Sequence, residues 1–288
     1  MERTVAYLTE KMGQFLRRGD PVLICFDTLR PDSLGSLFRE AAVRCGAKPV
    51  IWGPDFRWKT LLRQAFDCRA GTIIAPPLVI LGLTKLARAT TTPMYIRNVV
   101  SAGYPCTDWM IEGIRGGLDC KSWGCFDVAH EAVVAGFSCK AGWGVHINSK
   151  EFDVEIRNDR DATVPLGNTG AVVLRSRRDG GWLRTCDRAR ISAAPCKCGS
   201  HEPLLMDIAL GPHLDPELIA LSNSINRWTS VLDCRVDRGE AGLEIEIVVF
   251  PGEKLPKLPS CAKLIIRPWD PETDAPFHAK VQKESVHF

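Results

Sequence analysis

The stretch "PVLICFDTLRPDSLGSLFREAAVRCGAKPVIW", residues 21–52, decides the fold. Its first six residues are a near-continuous apolar run behind the Gly19–Asp20 turn, the pattern of a strand buried on both faces. Over residues 31–46 the apolar positions recur at helical spacing, and Gly46 stands where a helix C-cap would lie. "KPVIW" (48–52) returns to strand character. Strand, helix and strand in such close succession form the unit from which parallel sheets with right-handed crossovers are built.

The alternation extends to either side. An amphipathic helix precedes the stretch, ending by Arg18. After it come a helix from about Arg57 to Phe66, the strand "GTIIA" (71–75) and a helix from Leu78 to Ala89 behind "PP". The strand "YIRNVVSAG" (95–103) and a helix from about Asp108 to Gly116 complete the series. From Gly144 the period shifts to two: "GVHINSKEFDVEIRN", "GNTGAVVLRS" and "GWLRTCDRARIS" read as short strands between Gly, Asn and Asp turns. "GPHLDPELIALSNSINRW" (211–228) reads as a helix, and "LEIEIVVF" (243–250) and "AKLIIRPW" (262–269) as strands. The expected architecture is α/β. A parallel doubly wound layer spans 1–138, a small antiparallel β subdomain with a metal knuckle spans 139–204, and a compact α+β C-terminal domain spans 205–288.

Composition narrows the function classes. The 288 residues are 45% hydrophobic and 25% charged, which supports a sizeable core. A net charge of +3, with both signs interspersed, gives no basic run for nucleic acid or an anionic membrane. "MERTVAYLTEKMGQFLRR" is amphipathic rather than a secretory leader, and no apolar run approaches the roughly 20 residues that span a bilayer. The expectation is a cytoplasmic protein. Its twelve cysteines then read as metal ligands where clustered and as small core residues where single, namely Cys25, Cys45, Cys68, Cys120, Cys234 and Cys261.

The cluster is "PCKCGSH", 195–201. One C-x-C pair cannot close a four-coordinate zinc site, so further ligands must come from elsewhere in the chain. "FSCKAGWGVHIN" (137–148) offers Cys139 and His146 on either side of a glycine-containing loop. Cys139, His146, Cys196 and Cys198 would together make a Cys3His structural site, with His201 as a substitute ligand. Spacing alone leaves open the alternative that the cysteines are free turn thiols and His146 an ordinary strand residue. The histidines form no H-E-x-x-H pair, and no G-x-S-x-G elbow, Walker loop or G-x-G-x-x-G is present.

The succession "YIRNVVSAGYP", "WGCFDVA", "FSCKAGWGVHINSKEFDVEI", "PLGNTGAVVL", "LRTCDRARI" and "PCKCG" resembles the phenylacetate-CoA ligase group of the adenylate-forming (ANL) superfamily. The resemblance covers roughly residues 20–200 and, more loosely, the tail. It implies ATP-driven activation of a small-molecule carboxylate to an acyl-adenylate, with ATP/AMP and Mg as cofactors, and transfer to coenzyme A. It also implies structural zinc at Cys139, His146, Cys196 and Cys198. Asp187 matches the aspartate that grips the nucleotide ribose. Asp127 falls at the magnesium-associated acid, with Trp123 and Gly124 at the start of the same motif. Gly103 matches the glycine turn by the adenine, and Lys280 the lysine that contacts the acyl phosphate. Without the family, Asp187 reads as a turn cap, Asp127 as the N-cap of a helix over 128–137, and Lys280 as a solvated surface lysine.

The sequence departs from the family pattern in several places. Residues 1–288 hold no Ser/Thr-Gly-rich phosphate loop, Phe126 replaces a hydroxyl residue, and Asp127 replaces a glutamate. Cys186 stands where arginine is usual, and "GSHEPLLMDI" replaces the usual hinge after the knuckle. Two expectations follow. One is a ligase-like protein incomplete or degenerate as a single chain, completed by a complementary chain or as a homo-oligomer. The other is a non-catalytic, zinc-stabilised scaffold or small-ligand binder derived from that family.

Overall fold

The structure, a computed structural model, describes residues 2–31, 33–52, 56–104, 106–130, 133–139, 141, 144–210, 216–252, 258, 260–261 and 263–277, with backbone alone at 127–130, 133, 186, 210 and 216. The chain forms two compact units: residues 1–99, 106–123 and 215–288 make the first, and 100–105 with 124–214 make the second. These boundaries differ from the three consecutive segments expected from sequence. The tail joins the first unit through packing of the Pro77–Ala89 helix on the Val231–Gly239 strand and through hydrogen bonds from Lys85 to the Asn226 and Val231 carbonyls. Composition does not record such contacts.

The first unit begins with helix α1 (Glu2–Met12) and strand β1 (Pro21–Ile24), followed by α2 (Leu34–Arg44), β2 (Lys48–Ile51), α3 (Trp58–Asp67), β3 (Thr72–Ala75), α4 (Pro77–Ala89), β4 (Asn98–Ser101) and α5 (Asp108–Gly117). β1 pairs in parallel with both β2 and β3, and the strand order is β2-β1-β3-β4. The chain therefore reverses direction across the sheet after β2. Right-handed crossovers then place α2 and α3 on opposite faces, the doubly wound arrangement. In agreement, α2 packs on α1, while α4 packs on α3 and α5. Leu23, Ile24, Ile73 and Ile74 are fully buried, as the apolar runs require.

Two glycines permit close approaches in this layer. A Cβ at Gly35, in the first turn of α2, would lie 2.3 Å from the Asp27 carbonyl oxygen. One at Gly82 of α4 would lie 2.2 Å from the Trp58 ring, so the α3–α4 contact closes over a missing side chain.

The second unit is built from β5 (Ser122–His130, most of which belongs here), β6 (Val133–Ser138), β7 (Val145–Ile147), β8 (Phe152–Arg157), β9 (Gly170–Ser176), β10 (Trp182–Ile191) and β11 (Leu204–Leu210). Its strand order is β5-β6-β7-β11-β10-β9-β8, and the pairs whose register is defined are antiparallel. The antiparallel region starts at Ser122, well before the expected Gly144. Because β5 and β6 pair directly, with Asp127 opposite Gly136, the helix N-cap alternative for Asp127 is overturned.

The tail supplies α6 (Pro216–Asn226), β12 (Val231–Gly239), β13 (Gly242–Val249) and β14 (Lys263–Pro268) to the first unit. The β12-β13-β14 sheet has an antiparallel and a parallel pair. β12, "VLDCRVDRG", was not expected from the sequence, since only its first half is buried and its second half is charged. Of the single cysteines, Cys25 and Cys234 are buried, Cys261 is half-buried against the core of the tail, and Cys45, Cys68 and Cys120 are half-buried. No helix among the described residues is long and apolar enough to cross a membrane.

Candidate metal centre and nucleotide-site residues

The antiparallel pairing of β7 with β11 sets Leu204 opposite His146 and Leu205 opposite Val145. That register brings the β6–β7 connection, which carries Cys139, beside the β10–β11 connection, which carries Cys196 and Cys198. The β6–β7 loop closes through the Cys139 N–H, which donates to the Gly144 carbonyl at 2.7 Å. Gly144 has φ 128°, and a Cβ there would meet the Leu205 carbonyl oxygen at 2.2 Å, so only glycine fits. In the other loop the Gly199 N–H donates to the Cys196 carbonyl at 3.1 Å, with Gly199 at φ 80°.

One donor atom each from Cys139, His146, Cys196 and Cys198 lies within 4.8 Å of all the others, the one such His/Cys/Asp/Glu group among the described residues. Cys139 Sγ is 3.2 Å from Cys196 Sγ, and Cys198 Sγ is 3.2 Å from His146 Nε2. A tetrahedral zinc with Zn–S near 2.3 Å needs ligand atoms about 3.5–3.8 Å apart, so small outward shifts accommodate the ion. His146 Nδ1 sits 3.1 Å from the Glu202 carbonyl oxygen, an acceptor only. It therefore carries the ring proton and leaves the Nε2 lone pair facing the sulfurs. Backbone N–H groups of Ala141 and Ser200 donate to Cys139 Sγ and Cys198 Sγ at 3.3 and 3.4 Å.

The thiols differ. Burial, and then the contact with Cys196, pushes Cys139 up to about 12, whereas the Cys198 backbone N–H followed by Cys139 holds Cys196 below the usual thiol range. The ligand form of each cysteine is the thiolate, so a divalent cation bound there would displace the thiol protons. The donor set, its spacing and the fixed imidazole fit zinc. His201 is exposed and stands outside the group. Gly144 and the Glu202 carbonyl escaped the sequence reading because they act through backbone atoms, which leave no side-chain signature.

The remaining candidates are placed one by one. Asp187 lies on β10 opposite Leu210 and is 8% exposed; its N–H donates to Thr185 Oγ1, whose hydroxyl donates to the Val172 carbonyl. It is therefore a strand residue rather than a turn cap. Gly103 takes φ 77°, a left-handed turn just past β4. Trp123 is half-buried and Gly124 buried at the start of β5. Asp127 follows on β5, where its side chain lies outside the described residues, as does all of Lys280. Phe126 is 1% exposed and packs on Phe137 at a ring separation of 4.6 Å.

No protein-family model matches the sequence, and no curated protein matches it. Solved structures do. A 2-hydroxyisobutyryl-CoA ligase in the postadenylation state superposes with TM-score 0.68 at 16% identity, over 86% of this chain and 58% of that one. The likeness is one of fold. A benzoate CoA ligase from Burkholderia xenovorans LB400 gives TM-score 0.62 at 12% identity, covering 97% of this chain and 65% of that one. The amide bond synthetase McbA from Marinactinospora thermotolerans gives 0.54 at 17% identity, covering 98% and 64%. At such identities the likeness concerns the fold alone, and the chain spans less than two thirds of the length of these proteins.

Proposed function

We propose that the chain is an acyl-adenylate-binding module of the AMP-forming CoA-ligase type, with its β unit braced by zinc on Cys139, His146, Cys196 and Cys198. The observation that carries this reading is the fold shared with a ligase described in complex with 2-hydroxyisobutyryl-AMP and CoA. In this reading the Asp187 carboxylate accepts hydrogen bonds from the ribose hydroxyls, and Gly103 lets the backbone turn beside the adenine. Trp123 and Gly124 lead β5 toward Asp127, which orients magnesium. Lys280 contacts the acyl phosphate. Residues 1–288 hold no Ser/Thr-Gly-rich phosphate loop. Turnover with ATP and CoA therefore requires that loop from another polypeptide, or from sequence outside these residues.

A second reading, a zinc-braced scaffold that binds no nucleotide, is favoured by Phe126. The family pattern has a hydroxyl beside the phosphates at this position, but here the side chain is committed to the core against Phe137. Calorimetric titration of the folded, zinc-loaded protein with AMP, ATP plus magnesium, and a non-hydrolysable acyl-adenylate separates the two. Micromolar binding of any of them supports the first reading. Absence of heat with all three overturns it in favour of the scaffold.

A further inference from the structure

β14 is an edge strand of the β12-β13-β14 sheet: it pairs with β13 on one side and, among the described residues, with no strand on the other. Its register sets Leu264 opposite Ile245 and Ile266 opposite Ile247, two residues of the buried cluster that also holds Ile225 of α6. Directly paired residues share a face, so Leu264 and Ile266 continue that apolar face, yet they are 44% and 37% exposed. Ile265, 39% exposed, lies on the opposite face between Lys263 and Arg267. One strand thus leaves apolar residues in the open on both faces. The other edge strands are guarded. β2 carries Pro49, which has no N–H to offer, and β8 alternates Asp153, Glu155 and Arg157 with its apolar residues. The open half of β12 bears Arg235, Asp237 and Arg238.

We infer that β14 is the contact strand of a homodimer, pairing antiparallel with β14 of a second copy about a two-fold axis perpendicular to the sheet. Such an axis keeps each face of the sheet on its own side, so Leu264 and Ile266 of both copies join into one apolar stripe between the two buried clusters. The charges on the strand select this occupant. Lys263 is paired with Glu244, and Arg267 with Glu246 and Asp274, all within the chain. Arg235, on the same face as Ile265, is paired with Asp237 and Glu246. Each of these cations already has its carboxylate. A strand bearing net charge therefore finds no free counter-charge here, whereas an identical strand, neutralised in the same way, needs none. The register follows from the same charges. Pairing about Ile265 would set Lys263 against Arg267. Pairing about Leu264 sets Leu264 against itself and Lys263 against Ile265 of the second copy, which keeps like charges from facing each other. Three apolar side chains and a short ladder bury less than the roughly 1,600 Å² of a standard interface, so the dimer forms and dissociates with concentration.

Sedimentation velocity of the full chain, from about 1 to about 200 µM, tests the pairing: the mass should rise from one chain toward two. Over the same range the amides of β14 should gain at least about tenfold protection from hydrogen exchange, while those of β1 and β3 do not follow. Ile265→Lys changes an exposed position and sets a cation opposite Lys263 of the second copy. It should weaken association at least about tenfold and leave the melting temperature of the dilute protein unchanged. A wild type that stays a single chain throughout overturns the inference, and is the result expected if β14 instead receives a strand from a different protein. Association that leaves the β14 amides unprotected, or that persists undiminished in Ile265→Lys, overturns it equally.

Discussion

His146 is held from both sides: its Nδ1 meets the Glu202 carbonyl at 3.1 Å while its Nε2 stands 3.2 Å from Cys198 Sγ. The ring lies in the middle of β7, paired with Phe137 on one side and Leu204 on the other, so a metal there ties three strands to two loops. The purified protein should carry one zinc per chain by elemental analysis. Stripping it with a chelator should lower the melting temperature. Cys198→Ser should bind less zinc and show little further loss on chelation, since the ion stabilises only the state that holds its ligands. Equal melting of wild type with and without chelator would show that the four side chains brace nothing.

Gly144→Ala tests the loop rather than the ligands. The new Cβ must displace the Leu205 carbonyl, from which it would be 2.2 Å, at a φ of 128° that L side chains rarely adopt. The expected cost is about 1–3 kcal/mol in denaturant unfolding, with weaker zinc retention because Cys139 and His146 flank the strained turn. Unchanged stability would mean that the β6–β7 connection relaxes freely.

Asp187→Ala is the discriminating substitution for the nucleotide reading. Loss of a charged hydrogen-bond acceptor costs about 1.5–3 kcal/mol, so AMP affinity should fall roughly tenfold to a hundredfold with zinc content unchanged. An AMP-binding protein indifferent to this change would place the ribose elsewhere.

Ser33 joins the end of β1 to the start of α2. Its hydroxyl donates to the Asp27 carbonyl at 2.7 Å and accepts from the Ser36 N–H at 3.3 Å. Ser33→Ala should cost about 1 kcal/mol of stability by urea unfolding. A neutral result would assign the helix start to Gly35 and backbone packing alone.

The sequence by itself determined the alternating layer. "PVLICF", "GTIIA" and the helices between them carry their periods in local residue choice, because a strand covered on both faces must be apolar throughout and a surface helix must repeat every 3.6 residues. It also named Cys139, His146, Cys196 and Cys198, which the structure brings within 4.8 Å of one another, through the C-x-C pair together with the family resemblance. Only the tertiary structure decided the rest. "SWGCFDVAH" and "VVAGFS" have no clean alternation and became strands through pairing with each other, and the half-charged "VLDCRVDRG" became β12 against β13. The division into two units, the imidazole orientation fixed by a backbone carbonyl, and the hydrogen bonds of Lys85 to the Asn226 and Val231 carbonyls all depend on which distant segments meet. Such meetings are set by sheet register and burial summed over the whole molecule, which no short window of sequence records.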